Sequence, residues 1–594
     1  SGNNNDFTVS NVSAHDQMLD SPTFNSDSNG GNFATYNPLS PTTNGAVFTE
    51  GNLKSSPASN WSSTTYTKGT MAIPKDKKIY FEASDAGSAG GLYSIGVAIE
   101  SGVPSGTNVG GAGAVTLYDT EKYVNGTGSG GWITGASAGD IIQVAVDGAT
   151  GKVWLGINNT WGGSGNPSAG SNEAGTITNT ANEDLLPVVC QNASSNLVLN
   201  FGQDGTFAGA KTAQGNADGT GYGNFYYAPP TDFLAMCSGN LSAAGADPVE
   251  EKQPSKYFDA ITYTGNGSNT HSVTTTLKAI SYWGKNRTTG ASTPTSWFNQ
   301  TGNDFGTGTE KYLQFNTASY GTTSGTDQGV SNPQSTTLNL GSLDYFNGNG
   351  ASFVAYLLGN NEASVVTDTS GDIDSVRWTD SDAGISVMSY TGSGTAGHTL
   401  PHGLGVKPSF AIIKNSTSGN GEAWRVWSDA YGDYNDYAVL NTSAAWSTSG
   451  GVFTADPTTT MLPLASGATQ NNSGQTYMAW VFANTEGMVK AGKYVANGDV
   501  DNAFAYTGFK PAFVLIKGVS TNGWNIHDNA TSPFNVADTV LQPNTNSPEL
   551  SNYNIDILSN GFKVRDADGD LGTSGNTYIY LAFAEMPFKY ATAR

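Results

Sequence analysis

Closely spaced carboxylates are the first feature of this sequence that could do chemistry. In Arg565-Asp566-Ala567-Asp568-Gly569-Asp570 the acids alternate around a glycine turn. Such an array can wrap a hard cation that takes about six to eight oxygens, which makes Asp566, Asp568 and Asp570 candidate calcium ligands. No Glu stands at the twelfth position, so a complete EF-hand loop is excluded and a solvated hairpin turn is the competing reading. Asp368, Asp372 and Asp374, and Asp429, Asp433 and Asp436, repeat the theme at looser spacing. His398 and His402 have the separation of a metal pair, but Pro401 and the neighbouring glycines prevent the helix that would bring both imidazoles to one face.

Aromatics offer a second chemistry. Trp427, Tyr431, Tyr434 and Tyr437 alternate with Asp429, Gly432, Asp433, Asn435 and Asp436, a loop composition. Ring faces can stack on sugars while carboxylates and amides bind hydroxyls, so these four are the candidate ligand contacts. A contact between subunits would use the same residues. Trp154, Trp424, Trp480 and Trp524 lie in apolar runs and read as core, because aliphatic residues are few.

Catalytic constellations are scarce. Five His supply few general bases, no Gly-x-Ser-x-Gly elbow or phosphate-binding loop stands at a strand-to-helix junction, and there is no Cys-x-x-Cys. The chain reads as a non-enzyme without a cofactor, calcium aside. A glycan depolymerase working with two carboxylates is the catalytic alternative, although the long parallel β-helix pattern of many such enzymes is missing. Cys190 and Cys237 are the only cysteines and read as buried thiols, with a bridge between them left open.

The elements that must position these residues are strands. Apolar runs of four to eight residues, such as Ile141-Ile142-Gln143-Val144-Ala145-Val146 and Phe410-Ala411-Ile412-Ile413-Lys414, are bounded by Gly, Asn, Ser or Pro. The composition agrees: of 594 residues 13% are charged and 37% hydrophobic, and 76 are Gly. That excludes charge-rich disorder and coiled coils, and glycine without a three-residue period excludes collagen. The fold class is all-β, with tandem sandwich or jelly-roll-like domains.

Residues 41–205 form one unit. Lys78-Ile79-Tyr80-Phe81-Glu82 is followed by Tyr93-Ser94-Ile95-Gly96-Val97-Ala98, by Gly139-Asp140-Ile141-Ile142, by Asp147 to Gly151 as a hairpin turn, and by Leu197-Val198-Leu199-Asn200-Phe201-Gly202-Gln203. This order resembles a SPRY-type β-sandwich, which implies a binding module. Residues 206–254, with Tyr226-Tyr227-Ala228-Pro229-Pro230, read as a semi-rigid connector.

The remainder repeats itself. Lys407-Pro408-Ser409-Phe410 and Lys510-Pro511-Ala512-Phe513 each open an apolar strand, Trp424 and Trp524 follow, and Tyr477-Met478-Ala479-Trp480 and Tyr578-Ile579-Tyr580-Leu581 close each copy. A weaker copy runs from Tyr263-Thr264-Gly265 through Ala279-Ile280-Ser281-Tyr282-Trp283-Gly284-Lys285 to Phe353-Val354-Ala355-Tyr356. Three related β units are expected over 255–365, 366–487 and 488–594.

With the opening Asn32-Phe33-Ala34-Thr35-Tyr36-Asn37-Pro38-Leu39 and the later Lys256-Tyr257-Phe258, this layout resembles tail-fibre and related appendage proteins of marine bacteriophages. The resemblance implies a virion structural protein that mediates host attachment, is commonly a homotrimer, meets other virion proteins and a host surface glycan or protein, and works extracellularly. It supplies no catalytic residues. Ser1 in place of Met suggests an upstream part, with 1–40 as the junction to it. A microbial extracellular filament or surface-layer subunit is the alternative, and a rod-like oligomer is the expected form.

The net charge of −23 and a pI near 4.4 argue against nucleic acid as a partner. The densest basic group is only Lys75, Lys77 and Lys78. No apolar stretch reaches the ~18–20 residues of a membrane-spanning helix, so membrane insertion is not expected.

Overall fold

The computed structural model describes residues 31–40, 46–57, 66–85, 93–100, 113–179, 183–191, 195–241, 253–288, 295–298, 311–318, 320–322, 329–331, 336–360, 365–417, 421–567 and 569–586. The chain is all-β and divides into two compact units near Glu250. No helix among the described residues is long and apolar enough to cross a membrane.

Alternating runs in the first unit build a sandwich. One sheet follows Val47–Thr49, Lys54–Ser56, Leu197–Asn200, Lys78–Asp85, Ile141–Asp147, Lys152–Ile157 and Thr160–Trp161. The other follows Thr67–Lys68, Leu185–Gln191, Tyr93–Ile99, Ala114–Tyr118, Glu121–Val124 and Thr127–Ser129. Ile79, Phe81, Ile142, Val144, Val153 and Leu155 of the first sheet meet Tyr93, Ile95, Val97, Val115 and Leu117 of the second. The hairpin after Asp147 forms as its sequence requires. Gly151 takes φ +69° and donates its N–H to the Asp147 carbonyl at 2.8 Å.

The expected connector is instead part of the sandwich over its described portion. Phe233–Ala235 runs parallel to Lys78–Asp85 as an added strand. Phe225, Phe233 and Cys237 pack with Tyr80, Ala145 and Trp154 on the face turned away from the main core. That face is apolar and had to be covered, which explains why a Pro-rich stretch does not act as a spacer. Buried Glu82 fastens it: the carboxylate accepts the N–H groups of Tyr226 and Tyr227, each at 2.8 Å, the Tyr80 hydroxyl at 2.8 Å and the Asn200 amide at 3.3 Å.

The second unit holds the three repeats, and each has the same sheet order. Its first strand pairs with its last, which pairs with its central strand: Phe258–Thr264, Ser352–Gly359 and Ala279–Asn286; then Ile385–Thr391, Thr476–Phe482 and Phe410–Asn415; then Val489–Val495, Thr577–Met586 and Lys510–Gly518. A smaller sheet covers the outer face of each: His271–Thr274 with Thr337–Leu340, Thr399–Pro401 with Met461–Pro463, and Phe504–Tyr506 with Gly561–Val564. Equivalent aromatic pairs stack in all three copies: Tyr263 on Phe353, Tyr390 on Tyr477, and Tyr494 on Tyr578. The three tyrosine hydroxyls donate to the carbonyls of Phe346, Gln470 and Leu571.

The repeats are not beads on a string. Alternation along each last strand sends one set of side chains outward to that repeat's own core and the other set inward to a core shared by all three. Tyr477, Ala479 and Val481 face outward, while Met478, Trp480 and Phe482 face inward. In the inner core Phe258 stacks on Phe583 at 4.5 Å, and Trp283 lies against both Trp480 and Phe513. Hydrogen bonds join each repeat to the one before it. Trp424 Nε1 donates to the Gln314 carbonyl and Trp524 Nε1 to that of Val439, at 2.8 and 3.0 Å. Closure comes from the first and third repeats, where Arg287 pairs with Glu549 and the Tyr356 hydroxyl donates to Asp528 at 2.7 Å. The second unit is therefore a closed ring of three sandwiches.

Candidate functional site

The central strand of every repeat places a lysine at the same register. Lys285, Lys414 and Lys517 oppose Val354, Met478 and Ile579 respectively, and all three are buried. Their ammonium groups donate to main-chain carbonyls: Lys285 to Thr545 at 2.9 Å, Lys414 to Ala318 at 2.7 Å and also to Glu422, and Lys517 to Gly518 and Ser520 at 2.8 and 2.9 Å. Burial pushes them down, Lys285 to about 7 and the other two to about 8. Lys285, through Thr545, and Lys414, through Ala318, each reach a carbonyl of another repeat, so these two lysines help tie the ring together.

The aromatic segment expected to meet a ligand is divided by the fold. Trp427 is 1% exposed, packs edge-on against Phe453 and donates Nε1 to the Asp433 carbonyl at 3.2 Å. It has no free face to offer. Tyr431 leans on Trp446, Tyr434 packs against the outer core of the second repeat, and Tyr437 lies beneath the Arg425 guanidinium at 3.7 Å. These three tyrosines are half-buried.

In the acidic turn, Asp568 lies outside the described residues. Asp570 accepts the Gly523 N–H at 2.9 Å and the Gln542 amide at 3.3 Å. The Asp566 carbonyl takes the Asn502 amide at 2.9 Å. His402 is buried, accepts the Leu404 N–H and faces the Thr458 carbonyl, and burial lowers its pKa to about 4. Cys190 and Cys237 are buried and form no disulfide. No group of three or more His, Cys, Asp or Glu among the described residues has metal-binding geometry.

The looser acids near residue 370 separate instead of converging. Asp368 turns to Arg377, accepting from Nη2 at 2.8 Å, and to Ser370. The Ser370 hydroxyl, helped by Arg377, holds its pKa near 2. Asp372 and Asp374 instead line an open cleft of about 580 Å³ together with Thr367, Ser389, Thr391 and Thr476. Asp372 is held in place by Thr399, whose N–H and hydroxyl donate to Oδ2 at 3.0 and 2.8 Å, and these bonds lower its pKa. The hydroxyl residues of this cleft escaped the sequence reading because they come from three separate strands. Only the two aspartates left a signal.

A family model described as "Domain of unknown function (DUF7483)" matches residues 253–587, the whole three-repeat ring. Among solved structures the chain is similar to the TRIM65 PSpry domain, with 15% identity, a TM-score of 0.21, and 28% of this chain and 91% of that chain covered. A human SPRY domain gives 16%, 0.19, 26% and 93%, and the SPRY domain of human HERC1 gives 14%, 0.20, 28% and 96%. No curated protein matches the chain. With more than half of its 594 residues inside the matched region, the chain belongs to the family described as Domain of unknown function (DUF7483).

Proposed function

We propose that this chain is a non-catalytic structural protein of a virion appendage, a phage tail fibre or a related fibre, that attaches the particle to a host cell surface. The observation that carries the reading is the ring: three β repeats closed on one aromatic core, made from sequence copies of the kind the fibre resemblance rests on. Five buried ionisable groups support it. Glu82, Lys285, Lys414, Lys517 and His402 spend their polar atoms on neighbouring main-chain or side-chain groups, not on one another as a nucleophile and base would. A sandwich of SPRY type in the same chain as such a ring suits binding more than turnover.

Immuno-electron microscopy with an antibody to the ring tests this reading. Label on the tail or on fibres of a phage particle is the expected result, and label on a cellular filament or surface layer would replace it with the alternative.

A further inference from the structure

Only the middle repeat extends its main sheet beyond the first strand. Val366–Asp368 and Ser375–Asp380 add to the edge of Ile385–Thr391, whereas Phe258–Thr264 and Val489–Val495 end their sheets among the described residues. The added strands serve the ring on one point, through Trp378 in the shared core. They also wall the cleft of about 580 Å³, which lies within the ~300–1,000 Å³ range of small-molecule sites. In a set of near-equivalent units, a feature confined to one copy is not demanded by the repeat and calls for its own explanation.

The lining narrows the occupant. Ser389 is 5% exposed, yet its hydroxyl makes no hydrogen bond among the described residues. Its hydroxyl is therefore left to whatever occupies the cleft. Thr367, Thr391 and Thr476 add three more hydroxyls, and Asp372 and Asp374 add carboxylates. The lining holds no Lys, Arg or His. Phosphates, sulfates and uronic acids would meet repulsion without a counter-charge. Apolar ligands would strand the hydroxyls and carboxylates. A ligand that both gives and accepts hydrogen bonds and carries no negative charge satisfies the whole set.

We infer that this cleft binds a neutral oligosaccharide, the terminal sugars of a cell-surface glycan. Sugar hydroxyls donate to Asp372 and Asp374, and Ser389 anchors the deepest ring. The inference rests on the attachment reading above and gives it a site and a ligand class. Its test is the full chain on an array of neutral, N-acetylated and uronic-acid oligosaccharides, run beside adsorption to a panel of marine bacteria. Neutral oligosaccharides should be retained. Val376→Trp, which fills the cleft, and Asp374→Ala should each weaken that binding at least about tenfold, with melting temperatures unchanged. Silence on neutral oligosaccharides, retention of acidic ones only, or undiminished binding by both folded variants overturns the inference. Cell adsorption that survives Val376→Trp also overturns it while leaving attachment intact. Oligosaccharide binding without adsorption to any cell would support the cleft and count against attachment.

Discussion

Glu82 accepts four hydrogen bonds at a place where water cannot help it carry charge, and burial raises its pKa from 4.5 to about 7. Between those values the folded sandwich binds a proton that the unfolded chain has released. Its stability is therefore fullest below about pH 4.5 and falls as pH rises through 7, by at most about 3 kcal/mol. Lys285 has the opposite effect on the ring. Its folded pKa near 7 lies below the ordinary 10.5, so the unfolded chain holds the extra proton and stability rises with pH across that window. Hydrogen exchange read separately over the two units should show the sandwich weakening from pH 5 to 7 and the ring strengthening from about pH 7 to 10. Glu82→Gln should flatten the first slope and cost about 1–3 kcal/mol, because one amide cannot accept from four donors. Lys285→Met should reduce the second and leave the shares of Lys414 and Lys517. The lysines were visible in sequence at the ends of apolar runs, where they pass for strand ends turned to solvent. Only the register shows that all three point inward.

The large β elements of the ring have two buried faces with different tasks. Phe453 belongs to the outer core of one repeat, and Trp480 belongs to the core that all three share. Trp480→Ala should cost about 3–5 kcal/mol and speed exchange in all three repeats at once. Phe453→Ala should cost a comparable amount in a denaturant melt but loosen mainly residues 385–482 before the global transition. Strand positions and the copy number were legible in the sequence, because alternation and the spacing of Lys-Pro, Trp and Thr-Tyr recur. Pro511 even marks its own bulge, where pairing with the last strand shifts register. The shared core was not legible: alternation shows that both faces of a strand are buried but not what buries them. The cleft was hidden for a related reason, since Thr367, Ser389 and Thr476 meet only once the sheet has formed. Trp427 failed as a ligand residue because the sequence around it looks like a loop while the residue itself closes a strand ending at Ser428.

At the scale of the whole molecule, the ring already contains three copies of one sandwich within a single chain. A homotrimer is part of the proposed appendage, and light scattering tests it: three times 61.6 kDa is expected, and a single-chain mass would leave the ring as the sole threefold element. The loss of a free connector could not be read from the sequence, because the apolar outer face of the sandwich is recognisable only after folding. The stacking of Phe258 on Phe583 has a mechanical consequence. The ring begins and ends at one spot, so a pull on Phe258 and Phe583 would enter and leave through neighbouring strands. Tension would tug at that short junction and not run through the three sandwiches.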